Sequence, residues 1–269
     1  MKTATETYPD WVEVKEDNTV TVQLRTGSIL PGTDVKVESG VLTLTPAMGM
    51  TWRLSVKGDR LTGTEQRSGA EYAKISGVRA PVLNRPEPTT WGKPEPLFDG
   101  KSLNGWAPDN PAKSHWAAIN GELVNQTHGA NLRTTRTFQD FKLHLEFNCP
   151  DDGNSGLYLR GRYEIQIEYE PADKNDAKHA MGSLYGRIAP SQVLPKKPGE
   201  WETYDVTLVG RTLTVVRNGT TIIDQQEVAG ITGGALDSDE ASPGPFYLQG
   251  DHTGGLKFRN ILVSTPSSH

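Results

Sequence analysis

The chain reads as an almost purely β protein of two unequal domains, and three observations predict it. Short runs that alternate apolar and polar residues recur along its length. The separators between them are turn residues, drawn from 28 glycines and 18 prolines. No stretch carries the 3.6-residue periodicity of an amphipathic helix. With hydrophobic residues at 35%, composition alone would also suit a loop-rich chain, and the regular alternation decides for strands.

In residues 11–80, Thr19–Arg25 places Val20, Val22 and Leu24 on one face, as a half-buried strand requires. Val41–Thr45, Thr51–Val56 and Arg60–Thr64 repeat the pattern, with Gly58-Asp59 as a hairpin turn between the last two. The expectation is a small up-and-down β domain over residues 1–80, with Trp11 and Trp52 as core or edge anchors. It carries no recognisable chemistry and reads as an accessory domain. Pro81, Pro86, Pro88, Pro94 and Pro96 follow. Proline lacks an N–H and restricts its predecessor, so residues 81–96 are expected as extended linker. The second domain then spans 97–269. Its strand signals are Phe141–Phe147, Asn154–Arg160, Tyr163–Tyr169, a run from Tyr204, Thr212–Arg217, Thr220–Asp224, Phe246–Gln249 and Leu256–Val263. Asn218-Gly219 joins two of them as a tight hairpin, since both turn positions need positive φ. Many strands without intervening helices mean a sandwich or closed barrel.

Composition removes several function classes. The 28 basic and 33 acidic side chains leave a net charge of −5 without any basic run, which argues against nucleic acid as a partner. No apolar run reaches the 18 residues of a membrane span. The single cysteine, Cys149, precludes an intramolecular disulfide. Met1-Lys2 leads into polar Thr3–Thr7 with no apolar signal-peptide core, which fits either a cytoplasmic protein or a mature N-terminus with an added Met. Zinc-protease, redox Cys-x-x-Cys, serine-hydrolase and phosphate-loop motifs do not occur.

The chemistry gathers on one pair of strands. In Tyr163–Tyr169 the period of two sets Glu164, Gln166 and Glu168 on one face, opposite Ile165, Ile167 and Tyr169. In the preceding strand Tyr158 and Arg160 share a face, and a hairpin through Gly161 would bring them beside Glu164 and Gln166. An aromatic ring, a cation, a carboxylate and an amide on neighbouring strands suit sugar hydroxyls, although a solvated sheet face has the same pattern in many sandwiches. Gln249-Gly-Asp251-His252 ends another strand; a histidine beside an aspartate there serves as general base, metal ligand or plain turn. His128, His144, His179 and His269 read as surface or packing residues. The loop 171–198, with Asp173, Lys174, Asp176, Lys178, His179 and Met181–Tyr185, is long enough for a lid or cleft wall. Asp237-Ser-Asp-Glu240 offers hard oxygen ligands of the kind Ca²⁺ takes, yet reads first as an exposed turn.

Leu97–Trp106, Asn120–Leu123, Asp140–Glu146, Gly153-Asn154-Ser155-Gly156, Tyr163–Gln166, Pro198–Trp201, Asn218-Gly219, Leu248–His252 and Phe258–Ile261 occur in this order. Taken together they resemble the 3-keto-disaccharide hydrolase family, built on a concanavalin/laminarinase-like jelly-roll sandwich, over about residues 95–265. The resemblance implies chemistry on glycosides oxidised at C3. A C3 ketone acidifies the C2 proton, so a base removes it, the C1 substituent leaves, and water adds to the enone. Glu164 or His252 is then the base, with Asp251 orienting the histidine. Asn154, Tyr158, Arg160, Gln166, Glu168, Tyr185 and Gln249 become substrate-binding candidates. The expected partner is a small oxidised disaccharide or glycoside, no cofactor is required, a divalent ion such as Ca²⁺ is an option, and the setting is periplasmic or extracellular. The family pattern continues its Glu-x-Gln pair with a segment like Ile-Leu-Asp, whereas this chain reads Ile167-Glu168-Tyr169-Glu170. That departure raises a laminarinase-like retaining glycosidase using Glu164 and Glu168, whose Cα atoms are roughly 13 Å apart on one strand. A non-catalytic carbohydrate-binding module is the main alternative, ahead of that glycosidase, and a structural domain of a surface protein is the blandest.

Overall fold

The computed structural model describes residues 1–25, 27–169 and 176–267. The described residues form strands throughout, with one short 3₁₀ turn at Pro111–Lys113 as the sole helical element among them. None of them forms a helix long and apolar enough to cross a membrane. The chain divides into two compact units, Met1–Val82 with Gly230–Glu240, and Leu83–Ala229 with Ala241–His269.

The smaller unit holds β1 (Trp11–Val14), β2 (Val20–Gln23) and β3 (Ile29–Pro31) in one sheet, and β4 (Thr33–Glu38), β5 (Val41–Thr45), β6 (Met50–Lys57), β7 (Arg60–Arg67) and β8 (Ala70–Val78) in a second. Both sheets run in sequence order, the up-and-down pattern expected. Val20, Val22, Leu44, Trp52 and Leu54 are its core. The turn at Gly58-Asp59 closes β6 onto β7, with Lys57 opposite Arg60. Trp52 donates from Nε1 to the buried Glu65 at 2.8 Å, which satisfies both groups. Trp11 is half-buried.

The larger unit is a two-sheet sandwich. Its strands are β9 (Glu95–Pro96), β10 (Trp106–Pro108), β11 (Trp116–Ile119), β12 (Glu122–Asn125), β13 (Leu132–Thr134), β14 (Phe141–Asn148), β15 (Asn154–Leu159), β16 (Tyr163–Glu168), β17 (Trp201–Val209), β18 (Thr212–Arg217), β19 (Thr220–Glu227), β20 (Tyr247–Leu248) and β21 (Lys257–Ser264). One sheet has the order β10-β13-β20-β15-β16, and the other runs β11-β12-β21-β14-β17-β18-β19, with β9 added along β21. Alternating residues from both sheets fill the space between them, among them Phe141, Phe147, Leu157, Ile165, Ile167, Tyr204 and Phe258. Asn218 and Gly219 take φ of 50° and 76°, the paired positive values their hairpin turn demands.

Two expectations about organisation are corrected. The proline-rich stretch, expected as extended linker, is laid along the sandwich from Leu83 onward, and its last two residues, Glu95–Pro96, pair with β21. Arg85 pairs with Asp140 at 2.9 Å, Glu87 with Lys142 at 3.2 Å, and the Gly92 N–H donates to Thr265 O. Proline removes only its own donor, so the intervening residues keep theirs and use them. Gly230–Glu240 belongs to the smaller unit and not to the sandwich. Its Gly234 N–H donates to Arg25 O at 2.7 Å, and a Cβ at Gly230 would lie 2.4 Å from the Trp11 ring. The acidic turn of residues 237–240 lies in this segment, with Glu240 buried.

Candidate functional site

The outer face of the β10–β16 sheet is polar because its strands alternate strictly. Leu157, Leu159, Ile165 and Ile167 point into the core, which turns Asn154, Gly156, Tyr158, Glu164, Gln166 and Glu168 outward. Strand register then sets these residues in rows. Arg133, Tyr247, Tyr158 and Glu164 stand side by side across β13, β20, β15 and β16. The Tyr185 N–H extends that row by donating to Glu164 O at 2.9 Å. In the next row Gly156 lies opposite Gln166. Gln249 flanks it by donating its N–H to Gly156 O, and Ser183 accepts the Gln166 N–H, each at 3.0 Å. Asn154 opposite Glu168 makes a third row, with the Asn154 N–H bound to the Thr253 hydroxyl at 2.6 Å.

Glu164 is the unusual member. It is 3% exposed, and its carboxyl lies over Gly156, where a Cβ would come within 2.1 Å of Oε1. The glycine is therefore the space that lets the carboxyl sit over the middle of the face. Tyr158 donates its hydroxyl to Glu164 Oε2 at 2.7 Å and meets the Tyr247 ring edge-on. Burial is the largest influence on the acid and pushes its pKa up to about 8; the Tyr158 hydrogen bond opposes this, while Asp251 and Glu168 add to it. Glu164 consequently keeps its proton at neutral pH, which is uncommon for a carboxyl and suited to acid–base work.

The second centre is Asp251-His252, just past β20. His252 Nδ1 donates to Asp251 Oδ1 at 2.8 Å, and this bond is the main reason the imidazole's pKa rises and the carboxyl's falls. Both side chains are about half exposed, at 48% and 45%. The charge of Glu168 acts on His252 as well as on Glu164, so the acid and the imidazole share one electrostatic neighbourhood. His128 Nδ1 donates to His252 O at 3.2 Å. Beside Asp251 a polar cleft of about 580 Å³ is lined by Asp109, Lys113, His115, His128 and Asn131.

Two amides on the face have acceptors left unpaired. Gln166 is 2% exposed and donates from Nε2 to Glu168 Oε2 at 2.7 Å, while its Oε1 is buried with no hydrogen-bond partner among the described residues. Gln249 Oε1 is in the same condition. A buried acceptor left unpaired costs about 1–3 kcal/mol, and both acceptors lie on the outward-facing row. Groups that donate to them, such as sugar hydroxyls, would recover that cost.

Of the residues singled out from sequence, the sheet brings together Asn154, Tyr158, Glu164, Gln166, Glu168 and Gln249, with Asp251 and His252 at one end and Tyr185 along the β16 edge. Arg160 is the exception. The strand ends at Leu159, and Arg160 enters the turn with φ of 53°. Its guanidinium, fully buried, donates to Gln139 O, Gly210 O and Asp140. The left-handed residue breaks the alternation that placed it beside Tyr158, so it holds strand ends together instead of joining the outward face. Part of the long loop forms a wall: Leu184 bridges Ile165, which seats Ser183 and Tyr185 along β16. Asp173, Lys174 and Glu170 lie outside the described residues. Sequence reasoning missed Asn131, Arg133 and Tyr247, whose strands of three and two residues are too short to show a period. Among the described residues no group of three or more His, Cys, Asp or Glu side chains is arranged to hold a metal.

A two-sheet jelly-roll sandwich that turns a row of tyrosines, amides and carboxyls outward is the class this fold and face define. Residues 93–264 match the family described as the 3-keto-alpha-glucoside-1,2-lyase-like domain, and the chain belongs to that family. A protein of Parabacteroides distasonis ATCC 8503, provisionally designated a glycosyl hydrolase, is similar with a TM-score of 0.53 and 28% identity, over 63% of this chain and 82% of that one. A second protein of that organism, with the same provisional designation, gives 0.52 and 18% over 62% and 91%, a likeness of fold alone. No curated protein matches the chain.

Proposed function

We propose that the chain cleaves 3-keto-glycosides by removing the C2 proton, expelling the C1 substituent and hydrating the resulting enone. The observation that carries this reading is Glu164, a buried carboxyl that stays protonated up to about pH 8 on the ligand-suited face. His252 is the base: with Nδ1 committed to Asp251, its Nε2 lone pair takes the C2 proton, and the electron pair passes into the C3 ketone as an enolate. Collapse of the enolate breaks the C1–O bond, and Glu164, held by Tyr158, gives its proton to the departing oxygen. Water then adds across C1=C2, which completes a net hydrolysis. Gln166 and Gln249 accept substrate hydroxyls through their unpaired oxygens. The family supports the substrate class, and we assign the periplasm or extracellular space as its setting.

The test is incubation with a 3-keto-disaccharide and its non-oxidised counterpart in D₂O, followed by NMR, with and without Ca²⁺. Cleavage of the keto substrate alone, with deuterium at C2, is expected. Binding of either sugar without cleavage under both conditions refutes the enzyme reading in favour of a carbohydrate-binding module.

A further inference from the structure

Asp251 needs a reason to face His252, and the structure supplies one in a residue outside the catalytic set. Asn131 precedes β13 and is 6% exposed. Its Oδ1 accepts the N–H groups of Gly250 and Asp251 at 2.7 and 3.2 Å. Its Nδ2 donates to Asp251 Oδ2 at 3.2 Å and to Asp109 Oδ2 at 3.1 Å. Asp109 in turn accepts the Asn131 N–H at 3.1 Å. One amide thus uses both ends on residues 250–251 and is itself fixed by an aspartate across the sheet.

We infer that Asn131 is the positioning residue that holds the Asp251 carboxylate with Oδ1 toward His252, and so fixes the imidazole in its Nδ1–H form with Nε2 unprotonated toward the substrate. The geometry is selective because Asp251 has two oxygens. Asn131 engages Oδ2, which leaves Oδ1 for the imidazole. An isolated carboxylate on an exposed loop would rotate between the two, and the ring would follow it. Only an amide fills this place with a donor and an acceptor together; an aspartate keeps the shape and the two accepted N–H bonds but puts an oxygen against Asp251 Oδ2. Among the described residues the charged groups acting on His252 are Asp251 and Glu168, and His128 Nδ1 donates to its carbonyl. Asn131 acts through Asp251, touches no reacting atom, and rests on the reading of His252 as base.

The experiment combines ¹⁵N-histidine NMR on the ligand-free protein with kcat and KM on a 3-keto-disaccharide, for wild type, Asn131→Asp and Asp109→Ala. The His252 signals are assigned by their loss in His252→Gln. The inference expects the Nδ1–H tautomer to dominate in wild type and to give way to Nε2–H in Asn131→Asp, with kcat reduced at least tenfold and KM within about twofold. Asp109→Ala, at an exposed residue, is expected to move the tautomer the same way by a smaller amount, and it decides the matter if Asn131→Asp does not fold. Wild-type tautomer and kcat in the folded variants overturn the inference, because an amide needed only for packing moves neither. If no keto-glycoside is turned over by wild type, the proposed function falls, while the tautomer readout still decides what Asn131 does.

Discussion

Among the described residues the sandwich buries two glutamates beside tyrosines, Glu202 and Glu164, and their surroundings differ. Glu202 on β17, 1% exposed, receives the Tyr169 hydroxyl, the Arg217 guanidinium at 2.7 Å and the Asn218 amide at 2.7 Å. Glu164 receives the Tyr158 hydroxyl and has carboxylates, Asp251 and Glu168, as its charged influences. The first is a charge matched by a cation and fully hydrogen-bonded, which is how a buried ion is tolerated. The second is acted on most by burial, with the carboxylates of Asp251 and Glu168 adding to it, so it avoids the cost of a buried charge by keeping the proton. Burial alone does not set the character of a carboxyl; the groups that hydrogen-bond to it and the charges around it do.

Exchanging the two residues' chemistry breaks the comparison most sharply. Glu164→Gln keeps shape and neutrality but cannot give up a proton. It is expected to lower kcat about 10²- to 10⁴-fold on a keto-glycoside, the range for loss of a general acid, with melting temperature unchanged or raised. Arg217→Met does the opposite: it strands the Glu202 charge, is expected to cost about 3–5 kcal/mol in denaturant unfolding, and leaves kcat of the folded fraction within about twofold. Equal losses of stability in both variants would erase the distinction. Gly156→Ala tests the space instead of the proton. Its methyl must displace the Glu164 carboxyl, so a 10- to 100-fold fall in kcat/KM is expected with the fold retained, about 1.4–2.7 kcal/mol of transition-state stabilisation.

How far the sequence carries this comparison depends on strand length. Tyr163–Glu168 and Asn154–Leu159 are long enough to reveal a period, and both the Glu164-Gln166-Glu168 face and its pairing with Tyr158 are legible in the sequence. Arg160 was not, since a single left-handed residue at the turn reverses what alternation implies. Tyr247 and Arg133 sit on strands of two and three residues, where no pattern can form, and Asn131 precedes its strand. The burial of Glu164 is also invisible in one dimension: it depends on Gly156, eight positions away and one strand across. Gly156 lay within a motif noted in the sequence, but the reason for it is three-dimensional.

The pH behaviour sharpens the same contrast at smaller scale. Glu164's pKa is raised from 4.5 to about 8 on folding, so between these values the native state holds a proton that the unfolded chain has released. Stability contributed by this group is therefore full below about pH 4.5 and is lost as pH rises toward 8, with a slope of at most about 1.4 kcal/mol per pH unit. Glu164→Gln carries no such proton, and the difference in unfolding free energy between it and wild type should follow that slope and flatten above about pH 8. Activity should rise as His252 loses its proton, above the ordinary histidine value because Asp251 raises it, and fall as Glu164 ionises near pH 8. Tyr158→Phe removes the hydrogen bond that lowers the Glu164 pKa, so it should move the alkaline limb upward while leaving the acid limb in place. A mutant limb that moves downward would mean that the tyrosine stabilises the neutral acid, and Glu164 would then owe its proton to Tyr158 instead of to burial.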